Sequence, residues 1–142
     1  MRLALTLAAL AAACPVYVHA LEIDGRIDPA EWQGARHITD FRQTQPLTQA
    51  PASLPTQAWV MATPEGLAIA FRNEQSPATF TRQKVQRDFD AQVDRVNLMI
   101  DYDGDGRTGY NFTVSSTDGI ADAVISNESQ FNDDWDGNWR HA

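Results

Sequence analysis

Short runs with apolar residues at every second position, separated by turn residues, set the strongest limit on what this chain can fold into. Leu67, Ile69 and Phe71 alternate with Ala68, Ala70 and Arg72. Val96, Leu98 and Ile100 alternate with Arg95, Asn97 and Met99, and Tyr110, Phe112 and Val114 with Asn111, Thr113 and Ser115. A period of two sends alternate side chains to opposite faces of a strand. Ala58 to Thr63, with Trp59 and Met61 on one face, pairs with the first run through the turn Pro64-Glu65-Gly66. The runs at 95–100 and 110–115 form a second hairpin, and Ile120 to Ser126 follows the turn Thr117-Asp118-Gly119 as a further strand. Helical signals are confined to one place. Asp28 is an N-cap, Pro29 suits the first helical position, Glu31 completes a capping box and Gly34 ends the turn. Trp32 projects from it as a plug for one end of the core. The pattern predicts an all-β fold, an antiparallel β-sandwich of immunoglobulin-like or jelly-roll-like type.

The remaining segments qualify that picture. Pro46, Pro51 and Pro55 make 43–56 an extended loop. Residues 74–93 show no clean period, and a loop of that length in a compact domain is usually functional. Gly137 to Ala142 starts like a strand and stops, so the sandwich reads as incomplete at its C-terminus and the chain as the front part of a longer protein.

Residues 1–20 read as a secretory signal peptide. Arg2 is the positive region, Leu3 to Ala13 is apolar apart from Thr6, and Val18-His19-Ala20 is a small-residue cleavage site. A second reading takes Cys14, behind Ala11-Ala12-Ala13, as a lipid-bearing residue. Residues 21–142 are then one exported domain. With cleavage after Ala20 that domain has no cysteine, so its core, or a metal ion, must hold it. His37 and His141 alone are a poor set for zinc. The formal charge of −8, from 11 basic and 19 acidic residues, argues against nucleic acid and anionic membrane surfaces as partners. Residues 88–142 carry most of the acid, with a net charge of −9.

Two acidic segments carry candidate chemistry. Asp101, Asp103 and Asp105 stand at alternate positions before Gly106, a spacing that turns three carboxylates toward a calcium ion. Position twelve of that loop is Phe112, where a bidentate acid belongs, so a plain hairpin connection stands beside the calcium reading. The segment Asn132 to Trp139 sets Trp135 and Trp139 among Asp136, Asn138 and further acids and amides. Aromatic rings stack on the apolar faces of sugars while acids and amides bind hydroxyls. The alternative is a core tryptophan beside a solvated loop. Glu128, Asp133, Asp134 and Asp136 offer carboxylates, but no pairing that would make a glycosidase.

The order of these elements resembles the family 9 carbohydrate-binding modules and their β-sandwich relatives. The opening Ile23-Asp24-Gly25-Arg26-Ile27-Asp28-Pro29-Ala30-Glu31-Trp32 is similar to the family's first motif, and the hairpin from Thr56 to Phe71 to its next element. Asp94-Arg95-Val96-Asn97-Leu98-Met99-Ile100-Asp101 resembles the acid-led strand after the long loop, and Gly109-Tyr110-Asn111-Phe112 the strand that returns. Trp135-Asp136-Gly137-Asn138-Trp139 looks most like domains at the front of bacterial exported proteins in which a β-barrel region often follows. The resemblance implies a sandwich, structural calcium and an aromatic platform before the acid-led strand. Here that place falls near Ala91, with Phe89 two residues earlier. It implies a non-catalytic module for a polysaccharide or oligosaccharide. The other readings are an accessory domain that docks on an outer-membrane barrel, and a hydrolase component.

Overall fold

The computed structural model describes residues 20–88 and 91–142. The signal-peptide reading, apart from Ala20, and Phe89 therefore lie outside the described residues. The fold is all-β, with two antiparallel sheets. The first joins β1 (Arg36–Ile38), β2 (Thr56–Thr63) and β3 (Gly66–Asn73) in that order. The second joins β4 (Arg95–Ile100), β5 (Gly109–Ser115), β6 (Ile120–Ser126) and β7 (Gln130–Asn132).

Both predicted hairpins are present; β4 has the expected bounds, and β2, β3 and β5 are one or two residues longer than the alternation marks. Thr63 pairs with Gly66, so Pro64 and Glu65 alone make the first turn. The predicted helical turn also forms. The Glu31 and Trp32 amides donate to the Asp28 carbonyl at 3.1 Å, and the Ala30 amide donates to Asp28 Oδ1 at 2.8 Å. Trp32 is buried. The strand expected from Gly137 does not form, and 137–142 run without regular structure. β1 and β7 are too short to show a period of their own, and the alternation pattern misses both.

Register fixes the faces. In the second sheet Leu98 lies opposite Phe112, and Phe112 opposite Asp122. Val96, Leu98, Ile100, Tyr110, Phe112 and Val114 therefore share an inner face, which looks across a cleft at Leu67, Ile69 and Phe71 of β3. The cleft has a volume of about 1680 Å³. Leu67 is exposed and the other apolar side chains named here are half-buried, so each forgoes on the order of 1 kcal/mol of burial. Among the described residues the buried apolar ones are Trp32, Ala58, Ala68, Ala91, Ala123 and Ile125, most of them small.

The long segment before β4 is tied to the second sheet by polar contacts. Asp94 Oδ2 accepts the Thr81 amide at 2.6 Å and Gln75 Nε2 at 3.3 Å. Ser116 Oγ donates to the Thr81 carbonyl at 2.9 Å, and Thr117 Oγ1 to that of Gln83 at 2.8 Å. Asp88 continues the sheet where β7 stops. Its amide donates to the Ile120 carbonyl at 3.1 Å, and its Oδ1 accepts the Asp122 amide at 3.3 Å. That contact satisfies part of the β6 edge that would otherwise be open.

Candidate functional site

The outer face of the second sheet carries the polar half of the alternation. Asn97 lies opposite Thr113, and Thr113 opposite Ala121; Met99 lies opposite Asn111, and Asn111 opposite Ala123. On β5 and β6 these residues are small, so the sheet surface is low there. Val85, Asp88, Ala91 and Val93 of the preceding segment rise beside it, and Met99, Phe131 and Asp133 close other sides. The result is a trough of about 360 Å³.

Its floor is polar and withdrawn from solvent. Asn111, Thr113 and Ser115 are buried, although they occupy the positions that alternation assigns to water. Asn97 Nδ2 donates to Thr113 Oγ1 at 2.7 Å, and Asn111 Nδ2 approaches the same oxygen at 3.5 Å. Asn111 Oδ1 is buried without a hydrogen-bond partner. An amide oxygen in that state costs about 1–3 kcal/mol unless something else donates to it. Both signs of charge border the trough, from Arg95 on one side and Asp88 and Asp133 on the other.

No family model, curated protein or solved structure matches this chain.

The residues singled out from the sequence fall into three places. Trp135 and Trp139 line the cleft between the sheets, half-buried. Trp135 packs at 4.8 Å from Tyr110, and Trp139 edge-on at 5.3 Å from Phe112, between ring centroids. Trp139 Nε1 donates to Asp122 Oδ2 at 2.7 Å. Asp136 accepts from Arg87 at 2.6 Å, and Arg87 also reaches Asp122 at 3.1 Å. Asn138 is exposed at the cleft. These four residues are thus grouped with the inner face and the Arg87 cluster, on the side of the sheet away from the trough. Ala91, where the resemblance sets its platform, is buried at the trough wall.

The acidic loop turns its carboxylates onto its own backbone. Asp101 accepts the Gly104 amide at 2.7 Å and the Gly106 amide at 2.8 Å. Asp105 accepts the amides of Arg107 at 2.7 Å and Thr108 at 2.9 Å. Those bonds hold the Asp105 carboxyl below its ordinary pKa. Asp103 lies at the rim of the cleft. Among the described residues no three acid, histidine or cysteine side chains are grouped so as to hold a metal ion.

Sequence reasoning missed Asn97, Asn111, Thr113 and Phe131. The first three occupy polar positions of ordinary alternating strands, which read as a solvated face. The signal that could have found them is the long segment at 74–93, which has to lie against some face of the sheet.

Proposed function

We propose that residues 21–142 form a non-catalytic carbohydrate-binding module of an exported protein, and that the outer-face trough is its sugar site. The observation that carries this reading is the buried, unpartnered Asn111 Oδ1 on the trough floor. A sugar hydroxyl is a donor suited to that oxygen. The lining joins amides and hydroxyls with the exposed apolar surfaces of Met99 and Phe131. Sugars present the same mixture, a ring of hydroxyls around apolar C–H faces. The volume lies within the range of small-ligand sites, and the opposed charges at the border suit a neutral ligand.

Calorimetric titration of the protein with xylan and glucan oligosaccharides tests the reading. Saturable binding is expected, weakened about tenfold in Asn111→Leu, the loss of one hydrogen bond to a buried acceptor. A folded sample that takes up neither sugar, or an affinity unchanged by Asn111→Leu, contradicts it.

The cleft favours a second reading, an accessory domain whose open sandwich receives polypeptide from an outer-membrane barrel protein. Its support is the half-buried apolar lining on both sheets. Exposed apolar surface of this extent is characteristic of interaction sites. On this reading the protein binds no sugar, and Trp135 and Trp139 move to shorter emission wavelengths when the barrel region is present.

A further inference from the structure

The trough has a direction. β4, β5, β6 and β7 lie side by side, so its floor runs across the strands. On the two middle strands the floor is Asn111, Thr113, Ala121 and Ala123, none larger than asparagine, with Ile120 at its edge. The flanking strands each raise one large apolar side chain into solvent, Met99 at 59% exposure and Phe131 at 48%. Their backbones stand three strand spacings apart, on the order of 14 Å. That exceeds the length of one sugar ring.

We propose that the trough takes a linear neutral glycan laid across the strands, with at least two sugar rings in contact, and that Phe131 is the stacking platform at one end. This rests on the reading of the trough as a sugar site and adds its length, its orientation and a specificity-determining residue. Phe131 lies opposite the buried Ile125, which supports one side of the ring and leaves the rest open. The short strand β7 holds it between exposed Gln130 and Asn132, so no other large apolar side chain adjoins it on its own strand. Met99 faces the other end and offers a softer apolar contact. Asn111, between them, meets a hydroxyl of the first ring.

The test compares chain lengths. Affinities of glucose against cellobiose, and of xylose against xylobiose, are measured for the protein and its variants. The second ring is expected to tighten binding about tenfold in one of the two series, within the range of an aromatic stacking contact plus its burial. Phe131→Ala weakens the disaccharide more than the monosaccharide and so removes most of that gain. Phe131→Leu still covers Ile125 but has no flat ring, and it loses the gain too. Phe131→Trp keeps it. A residue that only supports the fold would change both sugars of a series together. If disaccharide and monosaccharide bind alike, or if Phe131→Leu keeps the full gain, the platform is wrong and the sugar site stands. If no sugar of either series binds, the sugar site fails and the platform with it.

Discussion

Asp122 joins parts of the chain that are far apart in sequence. Its side chain is fully buried, and it accepts from Trp139 Nε1 at 2.7 Å, from the Gly137 amide at 3.3 Å and from Arg87 at 3.1 Å. It sits on the inner face, where alternation calls for an apolar side chain, and it ties the segment carrying Trp139 to β6. Without Asp122 the Trp139 indole and the Gly137 amide lose their acceptor, while Arg87, itself part-exposed, keeps Asp88 and Asp136. Asp122→Ala should therefore lower stability by about 1–3 kcal/mol in urea unfolding, the cost of leaving buried donors unpaired. A loss below 1 kcal/mol would mean that water reaches the cluster. Asp94 gives the pH dependence. The Thr81 amide, and after it Gln75, holds its carboxyl below the ordinary value, against the opposing effect of burial. A carboxyl depressed in the folded state adds stability that is present above the unfolded pKa and is lost as pH falls through the folded one. The protein should thus lose stability on acidification from about pH 4 downward, and Asp94→Asn should flatten that slope. The same slope in the variant would assign the acid sensitivity to another group.

At the scale of elements, the two hairpins were legible and their surroundings were not. Alternation and the turn at Pro64-Glu65 specify β2 and β3, because a slip of one residue would turn Leu67, Ile69 and Phe71 to the other face. β1 and β7 gave no signal, since three residues are too few to show a period. The candidate site was hidden for a different reason. Asn111 and Thr113 look like a solvated face until the segment before β4 lies beside them, and that segment is placed by side chains far apart in sequence, such as Asp94, Ser116 and Thr117. Trp135 and Trp139 stood out as aromatics among acids, a composition shared by a sugar platform and by the end of a core. Two element-level predictions follow the geometry. A methyl group on Gly109 would lie 2.6 Å from the Ile100 carbonyl oxygen, so Gly109→Ala should push β4 from β5 and cost about 1–3 kcal/mol by thermal unfolding. In the loop between those strands, Asp101 and Asp105 already close the turn on backbone amides. Melting curves in chelator and in excess calcium are expected to coincide. A higher melting temperature in calcium would show an ion bound to the folded state, with Asp101, Asp103 and Asp105 as its candidate ligands.

The molecule as a whole presents two unlike recesses on opposite faces of one sheet. The inner cleft is large and apolar, lined by residues that would form a core if the sheets were closer. The outer trough is small and polar, and its floor residues are the more deeply buried set. This inverts the usual relation in a sandwich, in which inner faces are packed and outer faces wet. The sugar reading rests on the trough, and the docking reading on the cleft. The acidic half of the chain borders both, which disfavours polyanions at either. The most direct measurement is a set of amide NMR spectra during titration with cellobiose and xylobiose. The account predicts saturable shifts concentrated at Asn97, Met99, Asn111, Thr113, Ala121 and Phe131, with the indole signals of Trp135 and Trp139 unmoved. Shifts confined to those two indoles and their neighbours, or no shifts at all from a well-dispersed spectrum, would contradict it.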